Sequence, residues 1–182
     1  MVDRSPPFTG VALALELANT IDMLEDPPDF LRDLERLERF LRHVGNDAAD
    51  ERLTQAHLSD LRDLRDQLTR AMDSDEKRAA PLLAELAGTF DLRPRLVPDG
   101  DKGWEMQLGP APTEGLDGLG ASAVVGLMEL LVAGRWDRIG RCAGEPCCCL
   151  FVDRTKNRNR RFCCQLCADR VNQANTRTRS HK

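Results

Sequence analysis

All seven cysteines of the chain fall between Cys142 and Cys167: Cys142, Cys147, Cys148, Cys149, Cys163, Cys164 and Cys167. An odd number of cysteines, and an opening Met1-Val-Asp-Arg-Ser-Pro-Pro without signal-peptide form, argue against a disulfide framework. Two clusters about sixteen residues apart match instead a structural zinc site that takes two ligands from each cluster. Cys142-x4-Cys147 is the first pair. The second is Cys163-x3-Cys167, or Cys164-x2-Cys167 in the other register. A redox-active or merely buried cysteine patch is the weaker alternative. Four thiolates would close the coordination shell, so one structural Zn2+ per chain is expected, with no open position for water.

The surrounding residues must position those sulfurs. A segment of about forty residues rarely folds without a metal, a disulfide or a partner. Leu150-Phe151-Val152 is a short strand candidate, Asp153 to Asn157 a turn, and Arg160-Arg161-Phe162 a returning second strand. From Cys163 onward no Gly or Pro interrupts a helix, and Cys163 and Cys167 would share a face of its first turn. Knuckle, hairpin and helix in that order make a treble-clef-like finger.

The pattern Cys142-x4-Cys147-x2-Leu150-Phe151-Val152-Asp153-x-Thr155-Lys156-Asn157-x3-Arg161-Phe162-Cys163-x3-Cys167-x2-Arg170 resembles the CGNR zinc finger. That resemblance selects Cys142, Cys147, Cys163 and Cys167 as metal ligands. The motif Cys-Gly-Asn-Arg is replaced here by Cys167-Ala168-Asp169-Arg170, which puts an acidic side chain where the family has a neutral one. Upstream, Leu13-x-Leu15-x3-Asn19-Thr20 resembles the opening motif of the ABATE domain, which precedes this finger in proteins described as stress-induced transcription regulators. Asn19 and Thr20 suit either a buried polar pair bonding local backbone or a ligand contact.

Charge divides the chain. Residues 153–182 carry a net +7 and the rest −11, within a total of −4. A basic end on an acidic body points to a polyanion, DNA, as the partner of the end. Arg158, Arg160, Arg161, Arg170 and Arg177 are the candidate phosphate or base contacts, since arginine forks suit both. Some of these arginines would also offset a Zn(Cys)4 centre of net charge about −2.

Before the finger, helical patterning dominates. Helices are expected over Val11 to Leu24, from after Asp29 to Val44 with Gly45 ending it, over Asp50 to Met72, and over Asp75 to Ala87. His57 lies on the apolar stripe of the third and reads as an ordinary half-buried histidine. Thr89 to Val97 alternates like a strand, with Pro94 demoting or splitting it. A turn follows, then a return strand from Trp104 to Leu108. Pro110 to Gly120 reads as a Gly/Pro-rich loop, and Ala121 to about Ala133 as a central apolar helix.

The expected fold is mainly α: a helical ABATE-like domain over residues 1–140 with one small β-hairpin, then the finger over 141–182. The longest apolar-leaning stretch, Val11 to Leu17, is too short for a bilayer, so a cytoplasmic protein without membrane contact is expected. The resemblance implies a transcription regulator that binds DNA through the finger, with a small-molecule or protein effector at the helical domain and a homo-oligomer left open. The alternative is a zinc-stabilised protein-interaction module. Cys148, Cys149 and Cys164 would give it a thiol-sensing variant. No enzyme is expected. Zinc deaminases need His-x-Glu with Pro-Cys-x-x-Cys, but neither His43 nor His57 has a glutamate two residues on, and Leu150 stands where the last cysteine would be.

Overall fold

Leucine at every third or fourth position from Leu58 to Leu68 gives one helix a continuous apolar face, and the other helices are arranged against it. In the computed structural model, which describes residues 10–100 and 103–180 (the last six as helix backbone only), six helices and two small antiparallel sheets are seen. The helices are α1 (Val11–Ala18), α2 (Leu34–Val44), α3 (Gln55–Met72), α4 (Glu76–Ala87), α5 (Gly115–Val132) and α6 (Gln165–Ser180). The first sheet pairs β1 (Pro94–Pro98) with β2 (Trp104–Leu108), and the second pairs β3 (Ile139–Arg141) with β4 (Leu150–Val152). The core lies where α1, α3, α4 and α5 meet, around the fully buried Leu13, Leu17, Leu58, Leu68, Leu83 and Leu127.

Helix starts follow their caps. The carboxylates of Asp33 and Asp75 accept from Arg36 N (2.8 Å) and Arg78 N (3.1 Å), and the Thr54 hydroxyl from His57 N (3.4 Å). The second and third helices therefore begin later than the apolar pattern alone implies, at Leu34 and Gln55. A 3-10 turn at Asp47–Asp50, capped by Asn46, fills the gap before α3. Gly45, at φ 73°, ends α2 in the left-handed conformation expected of a C-terminal glycine.

The first helix ends at Ala18, six residues short of the expected Leu24. The Thr20 hydroxyl donates to Leu17 O at 2.8 Å, and the chain then extends so that Ile21 forms a β-bridge with Asp29. Two arginines of α3 hold this extended loop. Arg65 is buried and reaches Asp29 at 2.8 Å, Asp66 at 3.0 Å and Thr20 Oγ1 at 3.4 Å. Arg62 donates to Leu31 O at 2.7 Å. Burial opposes the charge on Arg65, but the Asp29 and Asp66 hydrogen bonds outweigh it and raise its pKa further.

The second departure concerns the glycine-rich stretch before the last helix of the domain. α5 begins at Gly115, not Ala121, and includes most of the expected loop. Three of its glycines sit where other chain segments touch the helix. A Cβ on Gly118 would lie 2.0 Å from Ala111 O, on Gly120 2.5 Å from the Phe90 ring, and on Gly126 2.3 Å from the Gly10 backbone. Asp47 caps the new start by accepting from Gly115 N at 2.7 Å. α5, not Val11 to Leu17, is thus the longest apolar segment, and by length and composition alone it could cross a bilayer. Here its buried face forms the core with α1 and α4.

Gly126→Ala tests the close crossing of α1 and α5. Alanine gains about 1 kcal/mol of helix propensity, but backbone atoms at 2.3 Å cannot yield as a side chain would. A net loss of about 1–3 kcal/mol is expected in chemical denaturation.

Candidate metal centre

The finger is built around the β3–β4 hairpin. Main-chain pairing continues past the strands from Cys142 N to Cys149 O (2.9 Å), and Cys147 N closes a tight turn onto Gly144 O (3.0 Å). A side chain at Gly144 would meet Cys167 Cβ at 3.2 Å and Cys142 Sγ at 3.5 Å, so glycine lets the turn sit close against the last ligand. Leu150–Val152 is a strand as expected, but its partner is Ile139–Arg141. Arg160-Arg161-Phe162 forms no strand. The buried carboxylate of Asp153 explains this, because it accepts from Thr155 N and Arg160 N, both at 2.8 Å, and curls the intervening loop. Hydrogen bonds from Thr155 and Arg160 hold that carboxyl below its ordinary pKa against the effect of burial. Arg161 O still reaches the knuckle, accepting from Ala143 N at 2.9 Å, and Phe162 packs against the buried cysteines.

The sulfurs of Cys142, Cys147, Cys163 and Cys167 lie within 4.8 Å of one another. Cys163 Sγ is 3.7 Å from both Cys147 Sγ and Cys167 Sγ. Metal–sulfur bonds of about 2.3 Å in a tetrahedron require edges of about 3.8 Å, so the cluster has the size to hold one metal ion. Cys163 lies just before α6 and Cys167 in its first turn, a modest change from the expected shared helical turn. Cys164 is exposed and stands outside the cluster.

The electrostatics fit a cation as well. Burial raises the Cys142 pKa, but main-chain N–H groups of Cys163 and Gly144 outweigh it and bring the thiol below its ordinary value. Burial pushes Cys167 up to about 12, and Cys163 is also raised. Four thiols this close cannot all ionise alone, whereas a bound divalent cation reverses that preference and keeps them as thiolates. Cys149 packs beside the cluster, and burial raises it to about 12. Cys148 turns away, its Sγ 3.8 Å from Ile21 O.

The candidate nucleic-acid residues are differently placed. Arg158 pairs with Asp137. Arg160 donates to Phe162 O at 2.9 Å and to Cys163 O, and lies 4.9 Å over the Phe151 ring. Arg170 donates to Gly144 O and approaches Cys167 Sγ at 3.8 Å, with its Nε buried and unpartnered. Arg161 is exposed over Phe162, 5.6 Å from the ring centre. Arg177 falls in the part of α6 whose side chains lie outside the described residues. Asp169, the acidic side chain at the position where the family has a neutral one, accepts from Gln165 Nε2 at 2.7 Å on its own helix.

The finger is tied to the helical domain through Asn19, whose amide matches a peptide group. Its Nδ2 donates to Leu150 O (3.0 Å) and its Oδ1 accepts from Leu150 N (2.7 Å). Arg141 adds a fork to Asp73 at 3.0 and 2.5 Å and donates to Cys148 O at 2.6 Å. Trp136 Nε1 donates to Ser74 O at 2.9 Å. Asn19 could be singled out from its polar character at the end of an apolar helix, but its distant partner could not. Nothing in the sequence marks Arg141 and Asp73 as a pair.

Two substitution sets test this centre. Cys163→Ser should lose the bound metal in elemental analysis while Cys148→Ser, Cys149→Ser and Cys164→Ser retain it; the opposite result at 163 and 164 would reverse the ligand register. Asn19→Ala should strand both main-chain groups of Leu150 and cost about 2–3 kcal/mol. Hydrogen exchange at Leu150 should then accelerate while the α3 amides stay protected.

Comparison with known families agrees with both halves. Residues 11–134 match the ABATE family model, described as "Putative stress-induced transcription regulator", and residues 138–180 match the CGNR zinc finger. No curated protein matches the chain. With most of its length inside the first model and its four converging cysteines inside the second, the chain belongs to the ABATE family and carries a CGNR zinc finger.

Proposed function

We propose that the chain is a cytoplasmic transcription regulator. A finger held by one structural zinc contacts DNA, and the helical domain receives a ligand or protein effector. Four thiolates in a tetrahedron of this size suit zinc, the ion that structural fingers of this kind hold. A closed shell of four sulfurs leaves no site for metal chemistry, so the reading includes no catalytic step. The observation that carries it is uncompensated positive charge on the rigid finger. Arg154 and Lys156 are exposed without an ion pair among the described residues, and Arg161 is exposed beside them in sequence. Arg160 and Arg170 make their hydrogen bonds to the finger's own carbonyls, so the first phosphate contacts are assigned to Arg154, Lys156 and Arg161, with Arg158 as a further candidate.

The sensing half of the proposal is supported by two clefts. One of about 540 Å3 is bordered by His57, Asp60, Asp63, Phe90 and Asp117, and the His57 Nδ1 is buried without a partner. The other, of about 520 Å3, is bordered by Glu16, Asn19, Asp22, Arg36 and His43. Asn19 is the side chain that grips Leu150 of the finger. A ligand in the second cleft would therefore act on the group that positions the finger. The interaction-module reading is favoured by one feature, Leu166, which is 79% exposed on the first turn of α6.

Random-sequence duplex DNA and the zinc-loaded chain, its metal confirmed by elemental analysis, provide the test. Binding should weaken steeply as salt rises, and replacing Arg154, Lys156 and Arg161 together by Ala should flatten the slope by about one unit per lost phosphate contact. Absence of binding at low salt gives the role to a protein partner, and Leu166→Asp should then abolish its capture.

A further inference from the structure

The β1–β2 hairpin has two unlike faces. Its register pairs Pro94 with Leu108, Leu96 with Met106 and Pro98 with Trp104, and all six residues lie on one face by the twofold alternation of strands. Every one of them is exposed: Leu96 at 70%, Trp104 at 71%, Met106 at 66% and Leu108 at 41%, with both prolines also exposed. The opposite face carries Arg95, Val97, Glu105 and Gln107, and Arg95 is fastened to Glu114, just before α5, at 3.0 Å. The charged face is thus the one tied to the domain, and the apolar face is turned away from it.

We propose that this face is where two copies of the chain associate, hairpin stacked on hairpin about a twofold axis. The face carries no charge, so phosphate, acidic peptides or basic peptides would find nothing to pair with. Its complement is an uncharged apolar strip of equal length, which a second copy supplies by symmetry. With the axis passing near the Leu96–Met106 pair, each Trp104 comes toward Leu108 of the second copy, placing the largest side chain against the least exposed end of the face. The four large side chains offer on the order of 500 Å2 per copy, so covering both faces buries about 1,000 Å2, the lower limit for a specific interface. Extension of the sheet is disfavoured. The bonds Gly109 N to Arg93 O and Asp99 N to Gly103 O set the ladder phase, so Pro94, Leu96 and Pro98 direct their main chains outward and two of those three positions lack an N–H. β2 is the strand beside α5. The face is the surface that remains, and the proposal does not depend on whether the finger touches DNA.

Sedimentation equilibrium of the full zinc-loaded chain, with reductant present to exclude Cys148 and Cys164 cross-links, tests it. A dimer is expected at about 100 µM and below. Leu96→Lys with Met106→Lys should weaken it at least about thirtyfold, with helical circular dichroism and metal content unchanged. Trp104→Glu is the second variant should the first misfold, and the same weakening is expected. A monomeric wild-type chain at about 100 µM overturns the proposal, whether the face is then covered by residues 1–9 or kept for another protein. A dimer that survives both variants overturns it equally.

Discussion

The two hydrogen bonds between Asn19 and the main chain of Leu150 decide how this molecule is put together. A side-chain amide that both donates to and accepts from one residue acts as a short piece of neighbouring strand, and it satisfies β4 where no third strand exists. Its geometry depends on α1 stopping at Ala18. That in turn depends on Thr20 bonding back to Leu17 and on Arg65 holding Thr20 and Asp29 from α3. Leu150 and Trp136 belong to the same buried cluster as the leucines of α1 and α5. The finger is therefore anchored by sharing the domain's core, and Asn19 aligns it there.

At its far end the finger depends on a different force. Around the four sulfurs, Phe162 and Cys149 alone among the described residues add apolar cover to the buried cysteines, a small core for the knuckle, the loop and α6. A metal ion bound by the four sulfurs would supply what burial does not. It also explains where the arginines went. A thiolate centre of net charge about −2 would attract guanidinium groups, as do the main-chain carbonyls beside it. Arg170 and Arg160 answer that attraction by binding Gly144 O, Phe162 O and Cys163 O. Part of the +7 read from the tail is thus internal to the finger, and the charge available to a polyanion is smaller and concentrated on the loop after β4.

What was legible in the sequence was what repeats or chelates. The leucine periods of α3 and α4, the glycine stop of α2, the return strand at Trp104 and the four-cysteine cluster all rest on local spacing, and each is found in place. What was not legible depends on distant partners. Arg160-Arg161-Phe162 has the composition of a strand, yet it forms none, because a single carboxylate at Asp153 draws the loop inward and Ile139–Arg141 reaches Leu150–Val152 first. The register of adjacent Cys163 and Cys164 was open to residue spacing alone; in the fold the Cys163 amide meets Cys142 Sγ at 3.4 Å and its own sulfur joins the cluster, while Cys164, just before the start of α6 at Gln165, is exposed.

The glycines before Ala121 show why the remaining error had to occur. Glycine in a sequence signals equally a chain that must bend and a helix that another backbone must touch. Gly118 and Gly120, and Gly126 further along the same helix, are of the second kind. Each stands at helical backbone where Ala111, Phe90 or Gly10 approaches closer than any Cβ allows. Local propensity disfavours such a helix by about 1 kcal/mol per glycine. Packing reverses the outcome because α5 is the element that α1 and α4 both rest against, and a wider spacing would separate Leu119, Val124 and Leu127 from the leucines they meet. The loop reading thus weighed the local cost of glycine correctly but lacked the tertiary contacts that outweigh it. Since α1 crosses α5 at Gly126 and is followed directly by Asn19, which binds Leu150 of the finger, the close approach that glycine permits also bears on where the finger sits on the domain.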